Sequence, residues 1–292
     1  MSGPSRLYLT GADGMLGTAL TAALAADDAA GGWQVRGVSL KDHDIADAAA
    51  VARSIDAFRP DVVVHTAAHA VVDDCERDPA MALRVNVAGV RNVVDACRRT
   101  GARLVHISSD YVFDGAVPPE GGYRETDLPS PLSVYGLTKL AGERICALLD
   151  DRALSVRTSW LFGGADERVD VVLAALRQGV TGEPAALVAD QYSLPTYTVD
   201  LARALVFLLT RPEPVSGTIH VANAGRASWY DVGLALRELR PDLPEPKPLT
   251  MAECGFVGGR PRDSSLSTAR SAALGLTLPH WRDALERFCA TQ

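Results

Sequence analysis

The chain has 292 residues, 47% of them hydrophobic and 22% charged, with 36 Asp+Glu against 29 Lys+Arg for a formal net charge of −7. That length suits two units sharing a core. The composition excludes a disordered chain, and the acidic balance excludes a broad cationic surface for nucleic acid. Only Lys41, Lys139 and Lys247 are lysines; the other basic residues are arginines. Apolar runs such as Ala204 to Leu209 are far shorter than the ~20 residues of a membrane-spanning helix. Met1 leads almost directly into the apolar segment at Leu7, without the basic start of a signal peptide. The cysteines (Cys75, Cys97, Cys146, Cys254, Cys289) are odd in number and have no close pair, which argues against disulfides and against a metal site. A cytoplasmic protein with no membrane association is expected.

In chain order, Arg6 to Thr10 reads as a strand, followed by glycines and an alanine-rich helix to about Ala26. Gln34 to Ser39 is a second strand, Ala46 to Phe58 a helix and Asp61 to His65 a third strand. Pro79 opens a long helix with Leu83, Val87, Val90 and Val94 on one face. Arg103 to Ile107 is a fourth strand, Ser133 to Leu149 a helix and Leu154 to Arg157 a fifth strand. Apolar strands alternating with helices imply a parallel sheet covered on both faces. After about Trp160 the segments shorten and prolines gather (Pro241, Pro244, Pro246, Pro248). We therefore expect a Rossmann-type, doubly wound α/β sheet over residues 1–158, joined by a returning strand near 218–222. Residues 159–292 would form a smaller mixed α/β substrate-binding domain.

Three stretches carry chemistry. Thr10 to Gly17 (Thr-Gly-Ala-Asp-Gly-Met-Leu-Gly) is a G-x-x-G-x-x-G run between the first strand and first helix, where bare backbone can meet a pyrophosphate. Tyr135 and Lys139 are four apart on the helix after the fourth strand, so phenol and ammonium share a face at the mouth of the sheet. The fourth strand ends in Ser108-Ser109-Asp110, delivering hydroxyls and a carboxylate to the same crevice, although a simple capped turn has this composition too.

These residues resemble the extended short-chain dehydrogenase/reductases, and within them the dTDP-4-dehydrorhamnose reductase family. The further matches are Val134 to Glu143, Arg157 to Gly163, Leu194 to Ala202, Arg260-Pro261-Arg262, Leu274-Gly275-Leu276 and Trp281, so the likeness runs from about residue 6 to 289. The resemblance implies a reductase of the 4-keto group of a dTDP-4-keto-6-deoxyhexose. Tyr135 would be the general acid, with Lys139 favouring the phenolate and binding the nicotinamide ribose. Ser109 would hydrogen-bond the ketone oxygen, and Asp110 and Trp160 would hold the sugar. Gly11, Gly14, Met15, Leu16, Asp44, Ile45, Ala67, Ala68 and His69 match cofactor-contacting stretches.

Two features depart from the common pattern: His65 stands where many relatives have Asn, and the second strand is followed by Ser39-Leu40-Lys41 with no carboxylate at its end. Hydroxyl and basic residues at Ser39 and Lys41 suit the extra phosphate of NADPH, with NADH as the alternative. Competing readings are a sugar-nucleotide epimerase or dehydratase, or a non-catalytic NADP-binding regulator resembling the beta subunit of methionine adenosyltransferase. Tyr111 in place of a second acid argues against the dehydratase; the complete set of Ser109, Tyr135 and Lys139 argues against the regulator. Oligomeric state is not legible, a homodimer being one option.

Overall fold

The computed structural model describes residues 5–26 and 32–292. The first half runs β1 (Ser5–Thr10), α1 (Met15–Ala25), β2 (Trp33–Val38), α2 (Ala48–Phe58), β3 (Val62–His65), α3 (Val72–Arg77) and α4 (Pro79–Leu83). A π-helical turn over Arg84–Gly89 leads into α5 (Val90–Thr100), β4 (Arg103–Ser109), α6 (Val134–Cys146) and β5 (Ala153–Thr158). The second half contains β6 (Leu161–Phe162), α7 (Val171–Val180), β7 (Ala186–Val188), β8 (Thr196–Tyr197), α8 (Thr198–Thr210) and β9 (Gly217–His220). It closes with α9 (Trp229–Leu239), β10 (Lys247–Leu249), α10 (Ala269–Ala273) and α11 (Trp281–Cys289).

The main sheet has the order β2-β1-β3-β4-β5-β9, with every pairing parallel. The winding reverses between β1 and β3, and that reversal opens a crevice outside the carboxyl ends of the strands. Because β-strand side chains alternate, each face gathers its own core. Leu7, Leu9, Val64, Val105, Ile107 and Val156 meet α1 and α8 on one face. On the other, Tyr8, Val63, Leu104 and Ala153 meet α2, α5 and the end of α6. A separate apolar cluster holds α7, α9 and α11 around Leu173, Leu176, Leu236, Trp281 and Phe288.

Three departures from the sequence reading have clear physical causes. The long helix expected from Pro79 is interrupted by the π-helical turn, which bears the buried Asn86. The helix expected to reach Leu149 ends at Cys146 and continues as a tighter turn in which Asp150 has φ 53°. Helix α8 lies beyond residue 158 yet covers the sheet, its Leu201, Leu205 and Leu208 packing with Leu16, Leu20 and Leu24 of α1. The sheet layer is therefore completed by α8 and β9 from the second half. Among the described residues no helix is long and apolar enough to cross a membrane.

Leu205 is fully buried. Leu205→Ala should lower unfolding stability by about 2–5 kcal/mol, measured by urea denaturation; a loss under 1 kcal/mol would show that α8 contributes little to the sheet core.

Candidate active site

The turn after β1 is shaped by close approach. Gly11 has φ +68°, and a Cβ there would lie 2.8 Å from the backbone nitrogen of Ala67. A Cβ on Gly17 would lie 2.1 Å from the Gly11 carbonyl oxygen, so that helix α1 can pack against the turn only with glycine there. Gly14 is the N-cap of α1 and gives it no side-chain bond, whereas Asp47 caps α2 and Ser133 caps α6. The amide groups opening α1, at Met15 and Leu16, are thus left for an anion. Thr66 Oγ1 donates to the Thr10 carbonyl at 2.7 Å, holding the turns after β1 and β3 together.

The other expected cofactor positions differ in what they offer. Ala67, Ala68 and His69 follow β3 and are partly exposed; the His69 peptide is gripped by Asn86, its N–H donating to Oδ1 at 2.8 Å and its carbonyl accepting from Nδ2 at 2.9 Å. Lys41 is exposed beyond β2. The Ser39 hydroxyl donates to the Asp42 carboxylate at 3.3 Å, so a carboxylate does stand in this turn, four residues past the end of β2 at Val38. That hydrogen bonding, and above all the Ser39 N–H, holds the Asp42 carboxyl below its usual range. The Asp44 carboxylate accepts from Ala46 N at 2.8 Å and from Arg84 at 2.5 Å, while Ile45 is buried against Gly89. At these two positions the backbone is what remains for a ligand.

Helix α6 carries the reactive pair. The Ser133 hydroxyl accepts from Gly136 N at 3.1 Å and fixes the first turn, which presents Tyr135, with Lys139 one turn on. Ser109 ends β4; its hydroxyl accepts from Tyr111 N at 3.2 Å and donates to Asp110 Oδ1 at 3.0 Å. The Tyr135 ring meets Tyr111 edge-on at 6.0 Å. Trp160 has φ +43° and stacks on Trp229 at 4.6 Å, so one face of its indole is already covered.

Asp110 is buried, and its Oδ2 accepts from Ser193 at 2.8 Å and from Ser264. With Ser109 on Oδ1, both carboxylate oxygens accept from serine hydroxyls. Desolvation raises the Asp110 carboxyl to about 6 against the pull of the three serines. Burial likewise lifts Tyr135 well above the ordinary phenol value, with the Ser109 hydrogen bond opposing and the Asp110 charge adding to it. Tyr135 is therefore protonated throughout the neutral range, the state a general acid requires. Sequence reasoning expects Lys139 to pull the phenol down; in this arrangement desolvation prevails. Lys139, 4% exposed, is itself lowered by burial to about 8, opposed by Cys146 and Glu143.

Sequence reasoning missed Asn86, Ser193, Ser264 and Trp229. Asn86 carries no motif spacing of its own, and the others lie 84, 155 and 120 residues after Ser109 in the chain.

Comparison with known proteins agrees with this geometry. The family model described as the RmlD substrate binding domain matches residues 5–292. A dTDP-4-dehydrorhamnose reductase of Streptomyces griseus is 39% identical over 96% of this chain and 91% of its own length. The chain belongs to the dTDP-4-dehydrorhamnose reductase family. A dTDP-4-keto-6-deoxy-D-glucose reductase of Streptomyces niveus is 36% identical, over 96% of this chain and 95% of its own. The crystal structure of dTDP-4-dehydrorhamnose reductase from Bacillus anthracis in complex with NADP superposes with a TM-score of 0.92 at 33% identity, covering 99% of this chain and 100% of that one.

Two measurements probe the family site here. The depressed Lys139 value means that its ammonium is present below about pH 8 and lost above it, so kcat should fall as pH rises through that value. Lys139→Arg, charged at every accessible pH, should lose that limb while turning over more slowly; an unchanged limb would assign it to another group. Lys41→Ala should raise KM for NADPH about tenfold and leave KM for NADH unmoved, as loss of one charge–phosphate contact requires. Equal effects on both cofactors would remove Lys41 from phosphate recognition.

Proposed function

We propose that this chain reduces the 4-keto group of a dTDP-4-keto-6-deoxyhexose, with NADPH as reductant, in deoxysugar biosynthesis. The observation that carries the reading is the convergence of Ser109, Tyr135 and Lys139 beside an uncapped, glycine-shaped helix start. The family relatives are named for this reduction, and the Bacillus anthracis relative is titled as a complex with NADP.

The residues present fit the cofactor: the amide groups opening α1 receive the pyrophosphate, Lys41 the additional phosphate, and Ala67 to His69 line the crevice. NADPH, when bound, supplies the hydride. Tyr135 gives its proton to the ketone oxygen, in hydrogen-bond reach of the same atom as Ser109. To donate to that oxygen, the Ser109 hydroxyl turns away from Asp110, which keeps Ser193 and Ser264 as donors. Asp110 thus tolerates the change at lower cost than a carboxylate with one partner. Lys139 holds the ribose and positive charge next to the phenol. The indole face of Trp160 turned away from Trp229 would meet the apolar side of the sugar ring.

An enzyme that eliminates water needs a second acid after Asp110. Tyr111 occupies that position, and its hydroxyl accepts from Gln191 Nε2 at 3.2 Å. Reduction needs no such acid.

The deciding experiment follows NADPH consumption with enzymatically prepared dTDP-4-keto-6-deoxyhexoses and identifies the product by NMR. Turnover is expected, and Tyr135→Phe should lose a factor of about 10²–10⁴ in kcat with the fold and NADPH binding retained. Absence of turnover with every such sugar would refute the reading.

A further inference from the structure

The first turn of an α-helix leaves its backbone N–H groups without partners inside the helix. In α6 that turn carries Tyr135, so whatever satisfies those groups also fixes where the phenol stands. The Ser133 hydroxyl takes the Gly136 N–H at 3.1 Å. The Val134 N–H goes to another element: it donates at 3.0 Å to Glu76 Oε2 of α3, 58 residues earlier in the chain. A Cβ on Gly136 would lie 2.2 Å from the Tyr111 carbonyl oxygen, so the turn is also pressed against the chain leaving β4.

The same helix α3 grips a segment of the second half. Asp73 and Glu76 are three residues apart and so share a face. Asp73 Oδ1 accepts from the Val257 N–H at 3.2 Å, the Gly258 N–H at 3.1 Å and Arg260 at 2.8 Å. Arg260 also donates to the Gly258 carbonyl at 2.9 Å and lies over the Phe256 ring at 4.4 Å, its side chain 10% exposed. Gly258 is buried here, and a Cβ on it would lie 3.3 Å from the same Glu76 Oε2 that holds Val134. A Cβ on Gly259 would lie 2.5 Å from the Leu132 carbonyl oxygen, just ahead of α6. Residues 256–260 therefore touch α3 and the approach to the catalytic helix at once.

We propose that Glu76 is a positioning residue for Tyr135, and that Asp73 couples it to residues 256–260 of the second half. The inference rests on the reductase reading above. Glu76 holds the first turn of α6 at its height over the crevice by accepting from Val134, and takes no part in proton transfer itself. Asp73 keeps Gly258 seated against that carboxylate. When the segment is released, Glu76 loses one wall of its seat and Val134 its fixed partner. Tyr135 then meets the ketone oxygen out of line, and a misplacement of about 1 Å costs on the order of 10² in rate. Cofactor affinity, set largely at the opening of α1, is not touched by this displacement.

The test compares Glu76→Ala, Glu76→Gln, Asp73→Ala and the double alanine variant. Arg77→Ala is the control, since it removes only the exposed Asp74–Arg77 pair of the same helix. Glu76→Ala should lower kcat about tenfold while KM for NADPH stays within about twofold of the parent. Glu76→Gln keeps an oxygen acceptor for Val134 and should recover kcat to within about threefold of the parent. Asp73→Ala should also be slow, and the double variant should match Glu76→Ala within about twofold, because both act through one contact. Arg77→Ala should keep the parent rates. A readout independent of turnover is amide hydrogen exchange at Val134, followed by NMR on the cofactor-free protein. It should quicken about tenfold in Glu76→Ala and Asp73→Ala, and not in Glu76→Gln or Arg77→Ala. Unchanged kcat in Glu76→Ala would overturn the positioning role. Glu76→Gln as slow as Glu76→Ala would overturn it as well, by assigning the effect to charge. Losses that multiply in the double variant would overturn the coupling to Asp73. If the parent turns over no dTDP-4-keto-6-deoxyhexose, the reductase reading fails, and Val134 exchange still decides whether Glu76 and Asp73 hold the start of α6.

Discussion

Tyr135 and Lys139 are both carried by α6, and a buried ion pair ties that helix to the sheet. Glu143 takes two hydrogen bonds from Arg157 of β5, both at 2.8 Å, and a third from Ser108 of β4 at 2.5 Å. Both side chains are almost wholly buried, at 4% and 6% exposure. A charge in such a place is tolerable only with its partner and its hydrogen bonds complete, which makes the geometry strict. Arg157 also lies over the Phe113 ring at 5.0 Å and reaches His220 of β9. Glu143 is one turn from Lys139 and two from Tyr135, so the pair sets the rotation and height of the face that presents them.

The same economy runs through the electrostatics. An acidic chain must receive an anionic cofactor and an anionic sugar nucleotide, and its net charge gives no help. The opening of α1 supplies dipole and bare amides locally. Lys139 is kept as an ammonium of reduced basicity by burial, Tyr135 as a neutral acid by the same cause, and Asp110 as a shielded carboxyl bonded to three serines. Desolvation is the leading cause at all three; what differs is the charge each group would carry, so one dry pocket pushes the lysine down and the two acids up.

Much of this was legible in the residues. Alternating apolar strands and helices give the doubly wound sheet, and the glycine run between β1 and α1 marks the phosphate turn. Tyr135 and Lys139 announce themselves by spacing and by the rarity of lysine. Other features were not legible for identifiable reasons. The π-helical turn at Arg84–Gly89 leaves the apolar period of the surrounding helix nearly intact, so nothing in the pattern reveals Asn86 gripping His69. Helix α8 has the apolar face of any surface helix, and the sequence does not say that this face meets α1. Ser193, Ser264 and Trp229 belong to ordinary loop and helix-start compositions; they matter because distant segments bring them to Asp110 and Trp160.

The sequence by itself determined the fold class, the phosphate turn and the Tyr135–Lys139 pair, because period, glycine placement and helical spacing are local properties of the chain. Only the tertiary structure decided the ionisation of those groups and the three serines that donate to Asp110. Those depend on which side chains meet across strands and how much water is excluded between them, and neither is written in the order of neighbouring residues.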